Sequence, residues 1–499
     1  MTTLPPSSNV SLPSPPAPLP RVIQGGMGVA ISNWVLAQAV SRAGQLGVVS
    51  GTGIDNLLVR RLQDGDPGGH VRRALAHFPD QERAQKAVRD YWLEGGRAPG
   101  QPYKRVPLPT VTKHRIAWEL SLLGSFVEVF LAREGHANPV GLNLLTKLQL
   151  HNFPALYGAM LAGVDTVIMG AGIPREIPGV LDAFAQGKPG TARLDVKGEG
   201  PGASVPLTFD PSEFGFGGVS LPRPNFYPII SSHVLAGVLT RKATGSVQGF
   251  VIEGPTAGGH NAPPRGQVTY DDTGQPVYTE RDIADLEEMR RLGLPFWLAG
   301  GSGSPNALQA ALDQGAAGIQ VGTLFAYCRE SGLRPETRDR TLGAVRAGEV
   351  SVYTDPLASP TGFPFKVVQL EGTLSEPERY AARTRVCDIG YLREAYWDGD
   401  KTGLRCAAEP VETYVQKGGK PEDTVGRKCL CNALMADAGH AQIQKGGEVE
   451  QPLLTSGDDL VKLGGWTPGY TAGDVIDYLL GKPGAGPRQS GVGEVLAQA

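Results

Sequence analysis

Short, almost wholly apolar runs recur along the chain at Arg21–Gln24, Leu46–Ser50, Val140–Leu144, Asp165–Met169, Phe226–Ser231, Gly249–Glu253, Pro295–Ala299 and Gly318–Val321. They do not alternate apolar with polar, as a strand with one wet face would, and so mark strands covered on both sides. Most end in glycine and lead into segments of helical composition, among them Asn33–Ala43, Phe153–Ala162, Glu280–Arg291 and Pro305–Gln314. Eight such strand–helix units predict an α/β fold of the (β/α)8 TIM-barrel type, with a doubly wound open sheet as the alternative.

Two stretches exceed a minimal barrel. Between the second and third strands, Thr52 to Asn138 contains charged helical segments at Asp80–Trp92 and Ile116–Arg133 and reads as a helical insertion. From Ala185 to Pro224, turn-rich and partly alternating sequence such as Ala203–Phe209 predicts a small β excursion, expected as a lid over the barrel mouth. The domain plan is a Pro-rich, disordered leader at 1–20, a barrel at 21–370 with its insertion at about 52–138 and excursion at about 185–224, and a mostly helical extension at 371–499. In that extension, Ser375-Glu-Pro-Glu378 has the spacing of a helix-initiating capping box.

Composition narrows the function class. Glycine, at 68 of 499 residues, is about twice its usual share of roughly 7%, which suits a fold with many tight turns. A net charge of −3 gives no basic footprint for nucleic acid. No uninterrupted apolar run reaches the ~18 residues of a membrane span. Thr2 to Pro20 lacks the basic segment and apolar stretch of an export signal. Five cysteines without an export signal point to reduced thiols or a metal site in the cytoplasm. A cytoplasmic enzyme acting on a small molecule is the expectation, with homo-oligomerisation left open.

Two glycine loops carry the first chemical signal. Gly300, Gly301, Ser302 and Gly303 follow the seventh strand, while Gln320, Gly322 and Thr323 close the eighth. In a barrel the loops after these two strands commonly grip a phosphate with backbone amides, and glycine allows the close approach that a side chain would block. A second signal is Ala257-Gly-Gly-His260, which presents a histidine at the end of the sixth strand, on the face where barrel active sites lie. His233, after the fifth strand, is a second candidate that reads better as a core or supporting residue.

Taken together, Val22-Ile-Gln-Gly-Gly-Met-Gly28, Val140-Gly-Leu-Asn-Leu144, Glu253 to His260, Ala299-Gly-Gly301 and Gly315 to Phe325 are specific as an ordered set over about Arg21 to Gly362. On them the chain resembles the FMN-dependent nitronate monooxygenases, formerly called 2-nitropropane dioxygenases, and related flavin enoyl reductases and NAD(P)H:quinone reductases. The resemblance implies that Gln24, Gly25, Gly26 and Met27 pass beside the flavin ring and that Asn143 hydrogen-bonds it. It further implies that Gly258 and Gly259 let the chain approach the cofactor, that Gly300, Gly301, Ser302, Gly303, Gln320, Gly322 and Thr323 hold the FMN phosphate, and that His260 is catalytic. The chain departs from the family pattern in having Gln-Gly-Gly-Met where many relatives place a proline before the methionine, and in Gly-Pro-Thr after Glu253.

The implied reaction is oxidation of an alkyl nitronate by oxygen, with His260 taking the α proton when a nitroalkane is the substrate. In the alternative, NAD(P)H reduces FMN, which then reduces an enoyl thioester or a quinone. No Rossmann fingerprint is present, so a nicotinamide would bind over the flavin. A different class, a non-catalytic flavin-binding module serving a partner, is the third reading.

The extension adds Cys387, Cys406, Cys429 and Cys431. They are either plain thiols in a helical cap or a four-cysteine site for zinc or an iron–sulfur cluster. Their spacing is not that of a zinc ribbon, which repeats Cys-x-x-Cys.

Overall fold

The computed structural model describes residues 18–198 and 205–487. Most of the predicted leader therefore lies outside the described residues, as does part of the predicted excursion.

Eight parallel strands form the centre: β1 Val22–Gln24, β2 Gly47–Ser50, β3 Val140–Leu145, β4 Thr166–Gly170, β5 Asn225–Ile230, β6 Phe250–Glu253, β7 Phe296–Ala299 and β8 Gly318–Val321. From β2 to β8 each pairs in parallel with the next, and β8 pairs with β1. The ring closes between β1 and β2 through a parallel bridge, Ile23 to Leu46, with the Gln24 N–H donating to the Leu46 carbonyl at 3.0 Å. This is a (β/α)8 barrel.

Both strand faces are buried, which explains the continuous apolar runs. Ile23, Val48, Ile168, Tyr227, Val251 and Trp297 fill the barrel interior, whereas Val22, Leu142, Val167, Phe226, Phe250 and Ile319 face the surrounding helices. Full burial of each large side chain contributes about 1.5–3 kcal/mol. Trp297 is fully buried and its indole N–H donates to the Pro20 carbonyl at 2.8 Å, so the bottom of the barrel is apolar but satisfied.

The predicted insertion is an elaborated connection between β2 and β3. It holds helices Ile54–Gln63, His70–Leu75, Gln81–Tyr91 and Arg115–Arg133. Asp80 caps the third of these by accepting from the Arg83 N–H at 3.0 Å. The last is almost entirely buried and takes the place of the barrel helix. It crosses helix Gln149–Leu161 so closely that a Cβ on Gly158 would meet the Leu122 carbonyl oxygen at 2.1 Å.

In the described residues, the main hairpin of the β excursion lies on the barrel flank and not over the mouth. Gly190–Leu194 and Val205–Phe209 make an antiparallel hairpin whose buried Leu207 and Phe209 pack on the outer helical layer, against Trp118, Tyr157 and Phe184. Its apolar positions point at helices, so burial holds it on the barrel flank.

What crosses the mouth is the chain beyond helix Pro335–Ala347, which begins before the expected boundary at 371. After helix Pro335–Ala347 come a hairpin of β9 Ser351–Asp355 and β10 Phe365–Gln369, then a hairpin of β11 Glu394–Asp398 and β12 Lys401–Arg405, with short helices between and after them. Ser375 does not cap a helix as expected. Its hydroxyl is buried and turned back to the Leu370 carbonyl at 3.2 Å, and helix Pro377–Ala382 starts from Glu376 without a side-chain cap. No helix among the described residues is long and apolar enough to cross a membrane.

Candidate functional site

A cavity opens at the carboxyl-terminal end of the barrel strands, where parallel strands deliver their following loops. The sequence-derived residues Gly25, Gly26, Met27, Asn143, Gly258, Gly259, His260, Gly300, Gly301, Ser302, Gln320, Gly322 and Thr323 all line it. They come from separate strand ends, and the barrel alone brings them together.

Two sequence candidates lie off the cavity wall. Gln24 is fully buried beneath it, donating through Nε2 to the Ser32 hydroxyl at 2.7 Å and accepting from the Val48 N–H at 3.0 Å. It ties the first loop to the barrel. Gly303 sits behind its loop, with its N–H donating to Asp459 Oδ2 at 3.0 Å.

The first loop is fixed by steric fit as well as hydrogen bonds. A Cβ on Gly26 would lie 2.1 Å from Asn143 Cβ, so glycine is what lets the first and third strand ends meet. Asn143 Nδ2 donates to the Gly26 carbonyl at 3.0 Å. In this structure its amide thus organises the chain that lines the cavity.

The glycine loops fit an anion. The N–H groups of Gly301 and Ser302 have no hydrogen-bond partner among the described residues. The Gln320 Oε1 atom is buried in the cavity wall without a partner, an acceptor left for a ligand N–H. A phosphate on the free amides and a polar heterocycle at Gln320 match this donor set, which is the distribution of groups on a flavin nucleotide. The Thr323 hydroxyl is already engaged, accepting from the Gly457 N–H at 3.0 Å.

His260 is set by residues 359–366 and by Thr455, beyond the barrel strands. The Gly259 N–H donates to the Thr455 hydroxyl and the Lys366 N–H to the Gly259 carbonyl, each at 2.9 Å. The Asn261 N–H donates to the Pro364 carbonyl, also at 2.9 Å. The imidazole Nε2 pairs with the Ser359 hydroxyl at 2.7 Å, and Ser359 with Thr361 at 2.8 Å. Phe365 stands edge-on to the ring, 4.9 Å between centroids. Burial among these groups lowers the His260 pKa to about 4, so the ring is neutral at neutral pH. His233 is not in the cavity; its Nδ1 accepts from the Asp285 N–H at 3.1 Å.

Sequence reasoning missed several wall residues. Glu253, at the end of β6, lines the same cavity, and its carboxyl has no ion pair or hydrogen bond among the described residues. Desolvation alone raises its pKa to about 8, which leaves it a carboxylic acid at neutral pH. Thr455, Ser456, Gly457 and Asp459 arrive from nearly 200 residues beyond His260. No periodicity or spacing marks a contact of that separation.

Residues 226–351 match the family model described as nitronate monooxygenase. The matched segment runs from β5 past β8 and includes His260 and both glycine loops. On that match the chain is a flavin-dependent oxidoreductase. Among curated proteins none matches this chain. Solved structures similar to it include FabK from Thermotoga maritima (16% identity over 92% of this chain and 91% of that one, TM-score 0.43). A nitroalkane oxidase from Streptomyces ansochromogenes is similar at 14% identity over 92% and 94% of the two chains, with TM-score 0.40. The enoyl reductase domain of MlnA from Bacillus amyloliquefaciens shares 13% identity over 71% and 64%, with TM-score 0.36. The barrel assignment rests on the strand order and ring closure above.

Proposed function

We propose that this chain is an FMN-dependent nitronate monooxygenase of the cytoplasm, oxidising small alkyl nitronates with oxygen. The observation that carries this reading is His260, a neutral imidazole on the wall of the cavity that also holds loops whose free amides suit a phosphate.

The free N–H groups of Gly301 and Ser302, helped by Gly322, would hold the FMN phosphate, while Gly25 to Met27, Asn143 and Gln320 would line its ring. When bound, FMN supplies the two-electron redox chemistry. The protein's own residues do the rest. With Nε2–H donated to Ser359, the imidazole lone pair lies at Nδ1, which has no protein partner among the described residues and accepts the α proton of a nitroalkane. Thr361 fixes Ser359 beside the ring, its N–H and its hydroxyl both meeting the Ser359 hydroxyl. Phe365 and the Gly258–Gly259 turn keep water from one side of the base.

Glu253 favours keeping a second reading, in which NAD(P)H serves as donor and an enoyl thioester or quinone is reduced. Reduction of a carbon–carbon double bond needs an acid to deliver a proton, and a carboxylic acid that stays protonated at neutral pH provides one.

Anaerobic mixing of the FMN-loaded protein with propionate-3-nitronate, NADH and NADPH, each alone, separates the readings. Bleaching of the flavin by the nitronate supports the monooxygenase. Bleaching by a nicotinamide alone moves the assignment to a reductase. Tight flavin that no donor bleaches moves it to a non-catalytic binding module, and failure to bind FMN overturns the reading altogether.

A further inference from the structure

Four cysteines that the flavin chemistry does not use converge on a second, smaller cavity. Cys387 precedes β11, Cys406 directly follows β12, and Cys429 and Cys431 stand at the start of helix Leu430–Asp437, yet all four line the same space. None is in a disulfide. Cys406 and Cys429 are buried and pack in one cluster.

Several N–H groups are directed at these sulfurs. Asn432 Nδ2 lies 3.6 Å from Cys429 Sγ, and the Asn432 backbone N–H is turned to the same sulfur. The Ala408 N–H faces Cys406, and the N–H groups of Tyr391 and Leu392 face Cys431. The Arg393 guanidinium stands within electrostatic reach of Cys387, Cys406 and Cys431. A thiol sulfur is a weak acceptor, whereas a thiolate takes charge-assisted N–H bonds. N–H groups directed at cysteine sulfurs are what a metal-bound thiolate takes as its outer partners.

Among the described residues, no three His, Cys, Asp or Glu side chains are grouped so as to hold a single metal ion. The four cysteines instead share the lining of one cavity, as the ligands of a cofactor do when its metal atoms and bridging sulfides stand between them.

We infer that Cys387, Cys406, Cys429 and Cys431 together ligate an iron–sulfur cluster. The N–H donors to the sulfurs are the groups that tune such a cluster's potential. Its position adds a function. Pro360 lines this cavity while the adjacent Ser359 holds His260. Phe365 lines the flavin cavity and belongs to the same packed core as Leu430, which lines this one. The two linings thus adjoin in sequence at Ser359–Pro360 and in packing at Phe365 and Leu430, a placement suited to one-electron exchange between the cavities. The site itself does not depend on the nitronate reading.

The test is iron, acid-labile sulfide and zinc analysis of the full chain, purified anaerobically and also after reconstitution with ferrous iron, sulfide and a thiol reductant. The expected result is equal iron and sulfide, about two or four of each per chain as the two common cluster types require. Cys387→Ser and Cys431→Ser should each lose most of both, while Cys328→Ser, in the barrel core, keeps them. Absence of iron and sulfide after reconstitution of the wild-type chain overturns the inference. Stoichiometric zinc without sulfide overturns it equally. Because the wild-type measurement decides, the outcome stands even where a cysteine variant fails to fold.

Discussion

The Gly303 N–H donates to the Asp459 carboxylate at 3.0 Å, so an acidic side chain from the extension sits on the loop whose neighbouring amides fit a phosphate. Lys462 pairs with the other oxygen of that carboxylate. An anion arriving at Gly301 and Ser302 meets a like charge already in place. Asp459→Asn removes the charge and retains an acceptor for Gly303. FMN binding should tighten about tenfold, a change of about 1.4 kcal/mol. Fluorescence titration of the stripped protein checks this, and weaker binding would mean the carboxylate chiefly props the loop.

His260→Ala should lower turnover of a nitroalkane, whose α proton must be removed, by about 10²–10⁴-fold, the usual contribution of a positioned acid or base, with FMN content unchanged. The pH profile offers a sharper check. With a pKa near 4, the base stays unprotonated across the neutral range, so the acid limb of kcat/KM should fall near pH 4 and not near 6.5. A limb at 6.5 would show a solvated histidine.

The same burial makes folding pH-dependent. The folded-state pKa of His260 is depressed below its unfolded value of about 6.5, so between those values the unfolded chain binds more protons. Stability is full above pH 6.5 and drains as pH falls toward 4, by on the order of 3 kcal/mol. His260→Gln removes this contribution. Denaturant melts at pH 7 and pH 5 should therefore show a smaller acid loss in the variant than in the wild type.

Gly158→Ala should destabilise the chain by about 1–3 kcal/mol, since the added methyl lands on the Leu122 carbonyl between two buried helices. A lowered Tm in thermal unfolding is the expected reading. An unchanged Tm would show that the Arg115–Arg133 helix can move aside.

What the sequence disclosed follows from which contacts are local. The eight strands were legible because every residue of a run such as Val22–Gln24 is buried, and burial on both faces leaves an unbroken apolar signature. The glycine loops and His260 were legible because each ends a strand, and the barrel sends all strand ends to one face. The hairpin carrying Phe209 was legible as β structure but not as to its place, since an alternating pattern says that one face is covered and not by what. Gln24 and Gly303 look in sequence like their neighbours on the cavity wall; only the side-chain partners at Ser32 and Asp459 separate them. Glu253 was legible only as part of a motif, because its chemistry comes from the lack of any partner.

The clasp of Thr455 and Lys366 on the Gly259 turn has a consequence for how the protein comes into being. A ribosome delivers all eight barrel strands well before Thr455 emerges, so the barrel can close while its histidine loop still lacks its holdfasts. The fixing of the histidine loop is then a separate event, later than the making of the strands.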